Sequence, residues 1–239
     1  MSILTSVIPK IMPYLDGSKF DENLRIKYDG SEQVALRNTL LQDLCRDKRI
    51  LHIGCTDHVP LIDAKIADRN WLHGLITECS SYTLGVDIDA SAVRMASKIA
   101  NMDNMVAGDI TSPDPIAEIS REKFDVALFG EVVEHIPNPV EFLKRFRKTY
   151  CSNFKKIIIT VPNAFRAGNV LGIARNIETI NSDHRFFFTP YTISKVAVDA
   201  GYRPESVTMA AFTRPGRLKS WILNMRPLLA EDIVLVASH

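Results

Sequence analysis

The chain has 239 residues and carries 29 Lys and Arg against 28 Asp and Glu, a net charge of +1. No overall field draws it to a long polyanion or an anionic surface, so any electrostatic attraction must come from local patches. The length suits one α/β domain with an N-terminal extension, and the scattered Cys45, Cys55, Cys79 and Cys151 read as free thiols of a reducing compartment.

Pro9 and Pro13 interrupt the opening segment before a signal-peptide core accumulates, and no apolar run reaches bilayer length, so a soluble, cytoplasmic protein is expected. Residues 1–32 read as an extension able to act as a lid, and residues 33–239 as the domain. Apolar spacing predicts a helix over 33–46, "QVALRNTLLQDLCR", feeding the buried strand "RILHIGC". A long rebuilt loop precedes "NWLHG". There follow a helix near "WLHGLITECS", strand "YTLGVDI", helix "SAVRMASKIANM", and strands at "MVAGD" and "FDVALFG". A helix from Pro139 to Tyr150 leads to strand "KKIIITV". Residues 162–183 are irregular, as substrate loops are, and a helix near "TPYTISKVAVDAGY" precedes strands "ESVTMAA" and "DIVLVASH". Alternation of this kind predicts parallel βαβ units. The last two strands lack a full crossover between them, which makes the final one antiparallel.

In such a sheet ligands lie beyond the carboxyl ends of the strands, here "LHIGCTDH", "GVDID", "VAGDI" and "LFGE". Asp87 suits a ribose, because one carboxylate accepts from both hydroxyls; Asp109 could accept from an adenine amino group with Ile110 against the ring. From about residue 48 onward this order of motifs resembles the class I S-adenosylmethionine-dependent methyltransferases. The resemblance implies a Rossmann-like seven-stranded sheet, mostly parallel, with helices on both faces. It also implies S-adenosylmethionine as cofactor, bound by Gly54, Cys55, Asp87, Ile88, Asp109, Ile110 and Gly130. One departure stands out: where the family has G-x-G-x-G, this chain has Gly54, Cys55, Thr56, Asp57 and His58. A nicotinamide-dependent dehydrogenase would also use Asp87, but the turn lacks the glycine spacing that seats a pyrophosphate on a helix N-terminus.

The stretch "GEVVEHIPNP" puts Glu131, Glu134 and His135 just past the fourth strand of the cofactor half. Residues three and four apart share a face once the chain turns helical, and two converging carboxylates repel unless a cation separates them. Together with His184 in "NSDHRFFFTPYT", the E-x-x-E-H element resembles the metal-dependent small-RNA 3′-terminal 2′-O-methyltransferases. That resemblance implies Glu131, Glu134, His135 and His184 as ligands of a divalent ion, Mg²⁺ or Mn²⁺, facing two vicinal hydroxyls. A similar element occurs in ubiquinone-pathway O-methyltransferases with catechol substrates. Without a metal, His135 would be the general base, with Glu131 beside it.

The runs "LHIGCTDH", "NWLHG", "GVDID", "GEVVEH", "VPNAF" and "DHRFFFTPYT" further resemble bacterial methyltransferases of surface polysaccharide and glycan biosynthesis, which implies O-methylation of a vicinal diol on a sugar. In residues 212–227, Arg214, Arg217, Lys219 and Arg226 surround Trp221. This segment reads either as a site for a nucleotide- or lipid-linked sugar phosphate, or as an amphipathic helix packing Trp221, Ile222 and Leu223 on the core or a partner. His52 and His73 read as structural, and His58 as a neighbour of the cofactor. An RNA 2′-O-methyltransferase, a catechol-like small-molecule O-methyltransferase and a non-catalytic partner protein stay open as alternatives, as does a homodimer.

Overall fold

The computed structural model describes residues 7–28 and 34–239, without the side chain of Val59. Part of the expected N-terminal extension, residues 1–6 and 29–32, therefore lies outside the described residues. The strands are β1 (Ala35–Leu36), β2 (Arg49–Ile53), β3 (Tyr82–Asp87), β4 (Met105–Ala107), β5 (Phe124–Gly130), β6 (Phe154–Pro162), β7 (Arg203–Ala211) and β8 (Asp232–Ser238). The helices are α1 (Ile8–Leu15), α2 (Arg37–Cys45), α3 (Val59–Ala67), α4 (Leu72–Cys79), α5 (Ala90–Ala100), α6 (Ala117–Ser120), α7 (Pro139–Tyr150), α8 (Ala167–Ile173), α9 (Pro190–Asp199) and α10 (Arg217–Met225).

One eight-stranded sheet results, in the order β1-β7-β8-β6-β5-β2-β3-β4. Among the described strands only β8 runs against its neighbours, β6 and β7. The seven expected strands are joined by β1, whose two residues pair with Ala210 and Ala211 at the sheet edge. The helix predicted over 33–46 therefore starts later, at Arg37. Ala35 and Leu36 are extended because the β7 edge offers them backbone partners that spacing alone cannot reveal. The expected loop before "NWLHG" contains α3, begun by Pro60 at a position where a missing N–H costs nothing.

Strand alternation builds two faces. Ala127 and Phe129 of β5, Ile157 and Ile159 of β6, and Ile233 and Leu235 of β8 share a core with Leu143 and Phe146 of α7 and Ile193 of α9. On the other face Val126, Leu128, Ile158 and Val234 meet Leu41 of α2 and Ile76 of α4. Ile8, Ile11 and Leu15 of α1 join the first core, and Lys195 of α9 donates to the Leu15 carbonyl, so this part of the extension is packed into the domain.

Helix starts follow their local chemistry. Asp89 accepts from Ser91 N and Ala92 N, Asn138 caps α7 ahead of Pro139, and Thr189 and Thr192 form a capping box around Pro190. Among the described residues no helix is long and apolar enough to cross a membrane.

Candidate active site

The chain leaves β2 toward β3 on one side and β5 toward β6 on the other, although β2 and β5 are paired through Ile53 and Phe129. A crevice must open where the connections diverge. There lies a cleft of about 750 Å³, lined by Gly54, Cys55, Asp87, Ile88, Gly130, Glu131, His135 and His184 among others.

Its glycine wall is the turn after β2. Gly54 has φ of 68°, and a Cβ there would lie 2.4 Å from Val132 Cγ2, so the turn needs glycine on both counts. Cys55 turns its side chain inward, and its carbonyl accepts from Trp71 Nε1 at 3.0 Å. Asp87 ends β3, and its Oδ2 accepts from Thr56 N at 3.1 Å and Thr56 Oγ1 at 2.6 Å. Its Oδ1 accepts from Asp89 N. Thr56 thus latches the single-glycine turn onto the carboxylate expected to hold a ribose. Ile88 stands beside it with 75 % of its surface exposed, an apolar side chain free to lie against a ring. Asp109 and Ile110 follow β4 but do not line the cleft: Asp109 accepts from Thr111 N and Oγ1, and Ile110 is buried in the core.

Beneath this wall His52 and His73 are buried and stacked, with Nδ1 atoms 3.2 Å apart. Burial holds the His52 imidazole well below its ordinary pKa, and pushes His73 down to about 4, so both are neutral. Asn104 spends its amide donors on Thr77 and Thr83, which leaves its Oδ1, 3.4 Å from His73 Nε2, as an acceptor. His73 Nε2 therefore carries the proton, His73 Nδ1 accepts from His52 Nδ1, and His52 Nε2 is left as a buried acceptor without a partner at the cleft floor. His52, read as structural, is thus paired and also lines the site.

The opposite wall rises from the end of β5. Glu131 sits in the left-handed region at φ 57°, a conformation that costs a non-glycine residue roughly 1–3 kcal/mol. Its carboxylate turns to Thr160, whose hydroxyl donates to Oε1 at 2.7 Å, and to Arg37, 3.5 Å away. Arg37 is buried; its Nε lies 2.9 Å from Asp232 Oδ2, and it donates to Thr160 Oγ1 at 3.0 Å. Arg37, Thr160 and Asp232 were not singled out in the sequence, since they come from α2, β6 and β8 and meet only in the folded sheet.

Glu134 is fully buried and both of its carboxylate oxygens lack hydrogen-bond partners. Burial, reinforced by the nearby charge of Glu131, pushes its pKa up to about 9. Its Oε1 lies 4.0 Å from Nε2 of both His135 and His184. Glu134, His135 and His184 each offer a ligand atom within 4.8 Å of the others, and Glu131 stands outside this group. The Asp183 carbonyl is 3.2 Å from His135 Nδ1, which therefore donates and leaves Nε2 with its lone pair toward Glu134. Arg185 N donates to the Glu134 carbonyl and Arg185 to that of His135, tying the loop that carries His184 to the end of β5. An orphaned buried carboxylate between two imidazoles is a donor set that suits a divalent cation.

Against known proteins, a family profile described as "Methyltransferase domain" matches residues 25–207. No curated protein matches the chain. Among solved structures it is similar to the small RNA methyltransferase HEN1, at a TM-score of 0.55 and 15% identity over 92% of this chain and 27% of that one. The chain thus spans about a quarter of that protein's length. It is similar also to a putative methyltransferase from Bacillus halodurans (TM-score 0.51, 13% identity, 84% of this chain and 98% of that one). A third is magnesium protoporphyrin IX methyltransferase from Synechocystis PCC 6803 with bound SAH (TM-score 0.50, 12% identity, 84% and 78%). With strand order, switch-point cleft and profile in agreement, the chain belongs to the methyltransferase domain family and has the fold of its S-adenosylmethionine-dependent members.

Proposed function

We propose that the protein is a divalent-metal-assisted O-methyltransferase acting on one hydroxyl of a vicinal diol in a sugar or glycan. The observation that carries this reading is the juxtaposition of one cleft, lined by the Gly54 turn, Asp87, His135 and His184, with the buried, unpartnered Glu134, whose Oε1 lies 4.0 Å from both imidazoles. S-adenosylmethionine would bring an electrophilic methyl group to the glycine wall. There Asp87 would accept from ribose hydroxyls, in competition with Thr56, and Ile88 would lie against the adenine. A cation held by Glu134, His135 and His184 would lower the pKa of a hydroxyl bound to it and fix two neighbouring oxygens.

The chain's own residues do the rest. His135, its Nδ1 proton engaged by the Asp183 carbonyl, keeps Nε2 free as ligand or as proton acceptor. Arg37 and Thr160 hold Glu131 at the rim, where its side chain is 27% exposed and can meet a substrate hydroxyl. Leu61, Trp71, Leu72 and Val132 give the cleft an apolar part of its lining.

A second reading, transfer to the 2′-oxygen of an RNA end, has the fold likeness to HEN1 in its favour and the net charge of +1 against it. Calorimetry with S-adenosylhomocysteine tests cofactor binding, and its absence would leave a non-catalytic relative. Transfer of labelled methyl groups to oligosaccharides bearing vicinal diols, compared with RNA 3′ ends, separates the two acceptors. Full turnover after exhaustive chelation would remove the metal and leave His135 as general base.

A further inference from the structure

Helix α10 is built inside out. Leu218, Trp221, Ile222 and Met225 recur at i, i+3, i+4 and i+7 and so form one stripe. An apolar stripe of this kind ordinarily faces the core. Here it is exposed by 72%, 61%, 38% and 48% in turn, while Leu223, on another face, is the residue that packs inward at 2%. Of the readings given to this segment, packing on the core thus holds for Leu223 and fails for Trp221, because the helix is rolled to bury Leu223 alone.

The charge around the stripe is one-sided. Residues 212–230 contain Arg214, Arg217, Lys219 and Arg226 and no acidic residue. Lys219 pairs with Glu231, but Arg214, Arg217 and Arg226 are exposed and have no carboxylate within salt-bridge distance among the described residues. In a chain of net charge +1 this is a local surplus. Apolar side chains with a tryptophan, edged by free arginines, suit neither bulk water nor a neutral protein surface. They match the acyl boundary and anionic headgroups of a bilayer.

The location agrees. Helix α10 follows the carboxyl end of β7, on the edge where the cleft opens, and Phe212 and Thr213, which lead into it, line the cleft. Helix α8 follows the parallel strand β6 on the same edge and exposes Leu171 and Ile173.

We infer that α10 is an interfacial helix that seats the mouth of the cleft on an anionic lipid surface. This goes beyond the acceptor reading and does not rest on it. The two tryptophans make it testable: Trp71 is 5% exposed and Trp221 61%, so a change in emission on binding reports Trp221. With vesicles of phosphatidylglycerol and phosphatidylcholine in equal parts, the emission should shift to the blue and the protein should co-sediment. Pure phosphatidylcholine should produce neither effect, and raised salt should weaken both. Leu218→Glu should lower partitioning about tenfold or more with an unchanged thermal midpoint, and Arg217→Glu should lower it on the anionic vesicles. Equal binding to neutral and anionic vesicles, or none to either, would overturn the inference. So would a blue shift on concentrating the protein alone with a dimer in sedimentation velocity, since a second copy would then cover the stripe.

Discussion

The two walls of the cleft solve opposite problems. On the glycine wall every oxygen of Asp87 already has a protein donor, from Thr56 or Asp89, and the turn is locked by a positive φ at Gly54. On the wall beyond β5, Glu134 is buried with neither oxygen satisfied, between two imidazoles. A satisfied wall holds its shape without a ligand, and a ligand must compete for its donors. An unsatisfied buried carboxylate instead carries a desolvation cost that a bound cation relieves. The difference locates where binding should be replaceable and where it should be indispensable.

The largest effect should follow from emptying the second wall. His184→Ala, or dialysis against a chelator, should lower methyl transfer on the order of 10²-fold or more, while S-adenosylhomocysteine affinity by calorimetry stays within about twofold. Restoration by Mg²⁺ or Mn²⁺ should follow in the wild type only. An active His184→Ala enzyme in chelator would erase the contrast between the walls.

Next comes the geometry of the first wall. Gly54→Ala must place a Cβ 2.4 Å from Val132 Cγ2 at φ of 68°, which should cost roughly 2–4 kcal/mol in denaturant unfolding. A loss under 1 kcal/mol would mean that Val132 yields and the wall is softer than its hydrogen bonds suggest.

Asp87 sharpens the idea of competition. Asp87→Ala should weaken S-adenosylmethionine binding by about 1–3 kcal/mol, and Thr56→Val, which removes the hydroxyl donor from Asp87 Oδ2 and keeps the backbone N–H, should leave affinity unchanged or slightly tighter. Weaker binding by Thr56→Val would show that the latch positions Asp87 for the ligand and does not compete with it.

The last effect appears only as a dependence on pH and concerns the histidines under the first wall. Their folded pKa values are depressed, His73 to about 4, whereas the unfolded chain takes up protons below about 6.5. The unfolded state therefore binds more protons below about 6.5, and stability should be lost as pH falls from there toward 4, by at most about 1.4 kcal/mol per pH unit from His73, with His52 acting in the same direction. Unfolding midpoints of wild type and His73→Gln at several pH values check this: the variant's profile should be flatter, and parallel profiles would refute it.

Much of this was legible in the residues. Thr189 and Pro190, Asn138 and Pro139, and Asp89 announce helix starts by capping chemistry, and the strand ends at Gly54, Asp87 and Gly130 follow from apolar runs that stop. The pairing of Glu134 and His135 with His184 was readable only through a family resemblance, because its members come from separate segments.

By itself the sequence determined most of the elements and their alternation, since helix and strand signals depend on contacts within a few residues, and the alternation implied the parallel sheet. Tertiary structure alone decided which way Glu131 faces, because Arg37 and Thr160, 123 residues apart in the chain, meet beside it through the order of β5, β6 and β8. It likewise decided that α10 buries Leu223 and leaves Trp221 outside. An amphipathic pattern specifies a stripe, but the direction that stripe faces depends on how the helix is rolled onto the sheet, and no local interaction encodes that roll.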